Sequence, residues 1–130
     1  MTEALLVLTN CPDEHAADRI ALALVEQRLA ACVNRLAPVQ SVYRWRGNVE
    51  RATEVPLLVK TTRERYGDVE QAIRHLHPYD VPEIIALPIT AGYAAYLRWI
   101  ESETAPPLSS ISVTVIGISA VGCNGSGGPK

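Results

Sequence analysis

The chain predicts an α+β fold: an antiparallel sheet with helices on one face, a long hairpin and a further C-terminal helix. Three observations carry this. Short aliphatic runs alternate with amphipathic stretches in the order β-α-β-β-α-β. A Gly47-Asn48 pair sits between two extended segments, as hairpin turns require. The 130 residues are 48% hydrophobic and 20% charged, enough for one core without disulfide or metal staples.

The first run, ALLVLT at 4–9, is short and continuous, as in a strand buried on both faces. Pro12, Asp13 and Glu14 then supply a fixed φ and negative charge for a helix start. Ala17, Ile20, Ala21 and Leu24 recur at helical spacing, and Arg28 is expected in the last turn. From Cys32 to Arg46 the chain favours extended structure, with Val39, Ser41, Tyr43 and Trp45 on one face. Pro38 donates no ladder hydrogen bond, so it marks an edge, a bulge or a break there.

Beyond the predicted Gly47-Asn48 turn, residues 49–61 return antiparallel, giving a hairpin long enough to project from the core. Thr61-Thr62-Arg63-Glu64 fits a capping box, Thr61 being the cap. Tyr66, Val69, Ile73 and Leu76 follow at helical spacing until Pro78 ends the helix. EIIALPI at 83–89 reads as the last strand. Thr90 is a candidate cap for a third helix carrying Tyr93, Tyr96, Leu97 and Ile100 and ending near Glu103. With right-handed crossovers this order is a split βαβ, or ferredoxin-like, sandwich. Its second sheet face needs cover, so self-association is expected, with Tyr43, Trp45 and Trp99 as interface anchors.

Residues 1–104 are read as one domain and 105–130 as a low-complexity tail, disordered or loosely attached. That tail holds no charge before Lys130, opens on two prolines and ends Gly/Ser-rich. Its apolar middle is shorter than a membrane span. Twelve Lys+Arg against fourteen Asp+Glu give a formal net charge of -2, which lacks the footprint of a nucleic-acid binder. No signal peptide is read at the N-terminus, and the three cysteines form no CxxC pair, so a cytoplasmic protein without a disulfide framework is expected.

Two constellations bear on chemistry. In HPYDVPEI at 77–84, His77 with Asp80 or Glu83 would supply an acid and a base. The structural reading of the same stretch is that Pro78 stops a helix, Pro82 stiffens a loop and Asp80 caps a turn. Cys11, Cys32, His15, His75 and His77 are the thiolate and imidazole ligands available to copper or zinc, although Cys32 in LAACV also reads as a buried, inert thiol. Glu54 and Lys60 share a strand face if Pro56 adds no bulge. No nucleophile elbow, Walker loop, GxGxxG or HExxH is present.

RLAACVN at 28–34, SVYRWRGNVE at 41–50, EVPLLVKTT at 54–62, HPYDVPEI at 77–84 and YLRWI at 96–100 together resemble the CutA family of divalent-cation-tolerance proteins. The resemblance covers about residues 3–103. It implies a ferredoxin-like homotrimer with hairpins linking protomers through intersubunit sheet pairing. It also implies association with copper tolerance and a signal-transducing role like that of the nitrogen-regulatory PII proteins, with no established catalytic reaction. By position it makes Cys32 and His77 the candidate copper contacts, while Ala72 supplies no thiol where some relatives have one.

The expected function is thus a non-enzymatic response to metal ions, binding copper or another divalent cation weakly or between subunits and needing none to fold. The alternative is a trimeric small-molecule sensor with an unidentified signalling partner. Its cleft would take an anionic metabolite near Lys60, Arg44 or Arg46, with Tyr79 and Glu83 at hand. A third reading is a small enzyme using His77 with Asp80 or Glu83. Neither nucleic acid nor a membrane is an expected partner.

Overall fold

A computed structural model describes residues 2–106, so the expectation for the tail lies almost wholly outside the described residues. Strand β1 (Ala4–Cys11) is followed by α1 (Glu14–Glu26), β2 (Cys32–Arg35), β3 (Val39–Trp45) and β4 (Asn48–Thr62). Helix α2 (Arg63–Leu76), strand β5 (Ile84–Pro88) and helix α3 (Ala94–Thr104) complete the order. The antiparallel sheet runs β2-β4-β1-β5, with β3 paired to the far half of β4. This is the split βαβ arrangement that the sequence predicts.

The sheet separates two environments. On one face Val7, Cys11, Val55, Leu57 and Val59 meet Ala17, Ile20 and Leu24 of α1 and Val69 and Ile73 of α2, all buried. Burying these side chains is the main favourable term in the fold. On the other face lie Leu6, Leu8, Leu58, Lys60 and Cys32, with Ile85 and Leu87 beside Leu8 and Leu6. Helix α3 reaches this second face through Tyr96, whose hydroxyl is 3.6 Å from Cys32 Sγ. Ile85 and Leu87 nevertheless stay 51% exposed each.

Several local expectations are corrected. Strand β1 alternates buried and half-buried positions, because α1 and α2 cover one face and the second is only partly covered. Arg28 is not in the last turn of α1: Gln27 caps the helix, and Arg28 adopts φ 60° while its guanidinium donates to Ser102 O at the end of α3, 3.0 Å away. The hairpin turn is Arg46-Gly47, at φ 52° and 85°, with Trp45 paired to Asn48. Both residues lie in the left-handed region that a type I′ turn needs.

The capping box does not form. Thr61 stays in β4, and its hydroxyl donates to Leu29 O at 2.6 Å; Thr62 is the N-cap and makes no side-chain cap bond. Strand pairing wins over capping here, since Ala4 holds Thr62 in register. Likewise α3 is capped by Tyr93, not Thr90. The start of α1, by contrast, is side-chain capped: Asp13 Oδ1 accepts from Ala16 N at 2.8 Å, satisfying one of the free amides of the first turn.

Candidate functional site

The chemistry-bearing residues fall into two places, set by the two ends of β1. Lys60 pairs with Leu6 and with Cys32, placing one cluster near the start of β1. Lys60 Nζ donates to Cys32 Sγ at 3.5 Å and to Asn34 Oδ1. Tyr96 closes the cluster from α3, and its phenol is pushed up to about 12, first by the hydrogen bond with Cys32 and then by desolvation. Cys32 is half-buried, so it is not the inert core thiol that LAACV also allowed. Cys11 fills that role: it is fully buried, and desolvation, with Asp13 and Glu54 adding negative potential, pushes its thiol up to about 11.

His77 lies at the other end. Its Nε2–H donates to Asn10 O at 2.7 Å and its Nδ1 accepts from Tyr79 N at 3.1 Å. These two bonds define the neutral tautomer. The ring is 6% exposed, and neither nitrogen has a lone pair free for a metal or a substrate proton. The assignments of His77 as copper contact and as acid or base are therefore corrected: it is a fastener. Asn10 lies four residue steps along β1 from Leu6, about 13 Å of strand, so Cys32 and His77 do not share a site within the chain.

What His77 fastens is the loop carrying Tyr79, Asp80 and Glu83 over a cleft of about 600 Å³ between β1 and the β3–β4 hairpin. Tyr43 and Trp45 line it from β3, and Glu50 and Glu54 from β4. The register explains the gathering: Tyr43 faces Glu50 and Val39 faces Glu54, so all four side chains stand on one face of the hairpin. Tyr79 Oη donates to Glu54 Oε2 at 3.2 Å. Desolvation first, and then the charge and hydrogen bond of Glu54, push that phenol up to about 12. Asn10 Nδ2 donates to Glu83 Oε1 at 3.0 Å.

Of the residues expected at a ligand cleft, Tyr79 and Glu83 are there and Lys60, Arg44 and Arg46 are not. Arg44 is one residue out of phase with Tyr43 and Trp45, hence on the opposite strand face. Arg46 occupies the turn, its guanidinium carbon 5.3 Å from the centre of the Trp45 ring. Lys60 shares a face with Glu54, since the β4 ladder runs through Pro56 without a bulge, yet six residues put it about 20 Å away. Tyr43, Trp45 and Trp99 are all exposed in the single chain. Glu50, Glu54 and Asn10 are cleft residues that sequence reasoning missed. The period-two spacing of Glu50 and Glu54 opposite Tyr43 was the signal available.

The family described as CutA1 divalent ion tolerance protein matches residues 5–103. The divalent-cation tolerance protein CutA of Thermus thermophilus is 48% identical over 99 residues, 76% of this chain and 96% of that protein. Protein CutA of Homo sapiens is 42% identical over 104 residues, 80% of this chain but 58% of its own length. The chloroplastic Protein CutA of Arabidopsis thaliana is 38% identical over 101 residues, 78% of this chain and 56% of its own. Among solved structures, CutA1 of Shewanella sp. SIB1 superposes with a TM-score of 0.78 at 45% identity, covering 81% of this chain and 98% of that one. The periplasmic divalent cation tolerance protein CutA of Archaeoglobus fulgidus gives a TM-score of 0.76 at 37% identity, covering 78% and 98%.

Proposed function

This chain belongs to the CutA1 divalent ion tolerance family, and from that premise we propose that it is a non-enzymatic homotrimer of the response to metal ions. Family membership supports the metal role. The second sheet face, only partly covered by α3 among the described residues, supports self-association: it presents Ile85 and Leu87 exposed on the edge strand β5, and exposed apolar surface of this kind marks an interface. Among the described residues no group of three or more His, Cys, Asp or Glu is placed to hold a metal ion. A copper site on this reading is weak or completed between protomers, with Cys32 as its thiol and His77 outside it. No helix of the described residues is long and apolar enough to cross a membrane.

Light scattering with and without copper tests assembly and its dependence on metal together. The expected result is a mass of three chains in both conditions, with copper uptake reduced in Cys32→Ser. A monomer in both conditions overturns the assembly, and undiminished uptake in Cys32→Ser removes the thiol from the site. One observation favours a second reading, a small-molecule sensor: a cleft of about 600 Å³ lies within the range of ligand pockets.

A further inference from the structure

The loop between α2 and β5 is fastened by side chains alone. Residues 78–83 make no backbone–backbone hydrogen bond among the described residues, and Pro78 and Pro82 have no amide hydrogen to give one. Three bonds hold the segment: Tyr79 N donates to His77 Nδ1, Tyr79 Oη to Glu54 Oε2 and Asn10 Nδ2 to Glu83 Oε1. Only the first engages the backbone of the loop. It exists because Nδ1 carries a lone pair, which the neutral ring has and the imidazolium lacks.

Protonation at Nδ1 turns this acceptor into a second donor aimed at the Tyr79 amide, so donor meets donor at 3.1 Å. Nε2–H is unaffected, since it donates to Asn10 O in either form. The ring is buried and forms no ion pair among the described residues, so the new charge arises with little water and no carboxylate beside it. Charged and titratable groups stand on each neighbouring element. On β1 and β4 these are Cys11, next to Asn10, and Glu54, which is bonded to Tyr79. On α1 it is Arg19, whose guanidinium donates to Leu76 O at 3.0 Å, one residue before the ring. On α2 and the loop they are His75, Asp80 and Glu83, the last held by Asn10. Moving the Tyr79 amide away from the ring relieves the conflict. We propose that His77 is an acid-operated latch: the neutral imidazole holds the 78–83 loop over the cleft, and uptake of one proton at Nδ1 releases it. Release frees the backbone of Tyr79, the residue that reaches Glu54 across the cleft. The latch requires neither copper nor a particular ligand of the cleft.

Amide hydrogen exchange of the full chain, followed by NMR between about pH 8 and pH 5, where imidazoles ordinarily charge, tests it. Protection of the Tyr79 amide, corrected for the intrinsic pH dependence of exchange, should fall roughly tenfold or more, as loss of one hydrogen bond implies. Val7 and Val59, paired in the middle of the sheet, should keep theirs. The ring nitrogen shifts of His77 should change with the same midpoint. His77→Asn offers an amide oxygen close to the place of Nδ1 that takes up no proton, so Tyr79 protection in that variant should not depend on pH. Glu54→Gln and Glu83→Gln should retain the fall, because neither carboxylate is the group that charges. Constant Tyr79 protection in the parent down to pH 5 overturns the proposal, and so does an equal fall in His77→Asn. A fall shared by Val7 and Val59 overturns it too, since that is acid unfolding and not release of one loop. Should His77→Asn fail to fold, the parent decides alone: loss of Tyr79 protection at a pH where the ring nitrogens do not change sinks the latch.

Discussion

His77 shows how much a single side chain contributes when both of its polar atoms are used. Replacing it with alanine leaves Asn10 O and Tyr79 N without their partners in a partly buried position and removes the ring that packs 4.8 Å from that of Tyr79. Two lost hydrogen bonds with unsatisfied partners cost about 2–4 kcal/mol, so His77→Ala should lower the urea midpoint clearly. Copper uptake, in contrast, should not change, because the ring has no lone pair free. Reduced uptake with unchanged stability would reverse this assignment. Tyr79, held by the same turn, titrates in a predictable direction. Its phenol is raised to about 12 in the fold against about 10 in an unfolded chain, so the folded state keeps its proton to higher pH. The resulting stability is complete below about pH 10 and is lost as pH rises through about 12. Tyr79→Phe should flatten part of the alkaline loss seen by denaturation, with Tyr96, raised similarly, accounting for a further part.

At the level of elements, the order of strands and helices was legible because each run carries its own period, and the errors cluster at junctions. A junction is decided by competition between local chemistry and pairing, and only the local chemistry is written nearby in sequence. Thr61 illustrates this: its capping signature is genuine, but ladder pairing with β1 holds it in β4, where its hydroxyl serves Leu29 O instead. Thr61→Val should therefore cost about 1–2 kcal/mol through an unsatisfied buried carbonyl, whereas Thr62→Val should lose no cap bond. Denaturant melts of the two variants separate strand from cap, and the reverse ranking would restore the capping box. The turn tells a related story. Placing it at Gly47-Asn48 rather than Arg46-Gly47 shifts every β3–β4 partner by two residues, so each side chain keeps its face. The shared face of Tyr43 and Trp45 was therefore legible, but its partner Glu50 was not, and the acidic character of the cleft stayed hidden. Gly47, at φ 85°, adopts a backbone conformation that a Cβ strains, so Gly47→Ala should destabilise by about 1 kcal/mol.

For the whole molecule the sheet must answer a question that one chain leaves open, namely what covers the face opposite α1 and α2. Helix α3 covers part of it, with Tyr96 against Cys32 and Ile100 buried. Beyond α3, Ile85 and Leu87 remain half-exposed and lie beside Leu8 and Leu6 on the same face. Among the described residues β5 pairs with β1 alone, so within them its outer edge presents open backbone groups alongside this apolar patch, a combination that natural sheets cover. The sequence pointed to this need through its apolar alternation, while the identity of the cover lies outside the described residues. Carboxylates placed at Ile85 and Leu87 leave the α1–α2 core untouched, since both side chains stand on the opposite face. The double variant Ile85→Glu, Leu87→Glu should therefore keep its helical circular dichroism while its mass by light scattering falls from three chains to one. Each buried apolar side chain contributes about 1.5–3 kcal/mol to association, and a carboxylate in its place adds a desolvation cost, so the shift should be complete at micromolar concentration. A variant that retains the parent mass would show that assembly, if it forms, uses another surface, and would leave the exposed hairpin residues Tyr43 and Trp45 as the next positions to change.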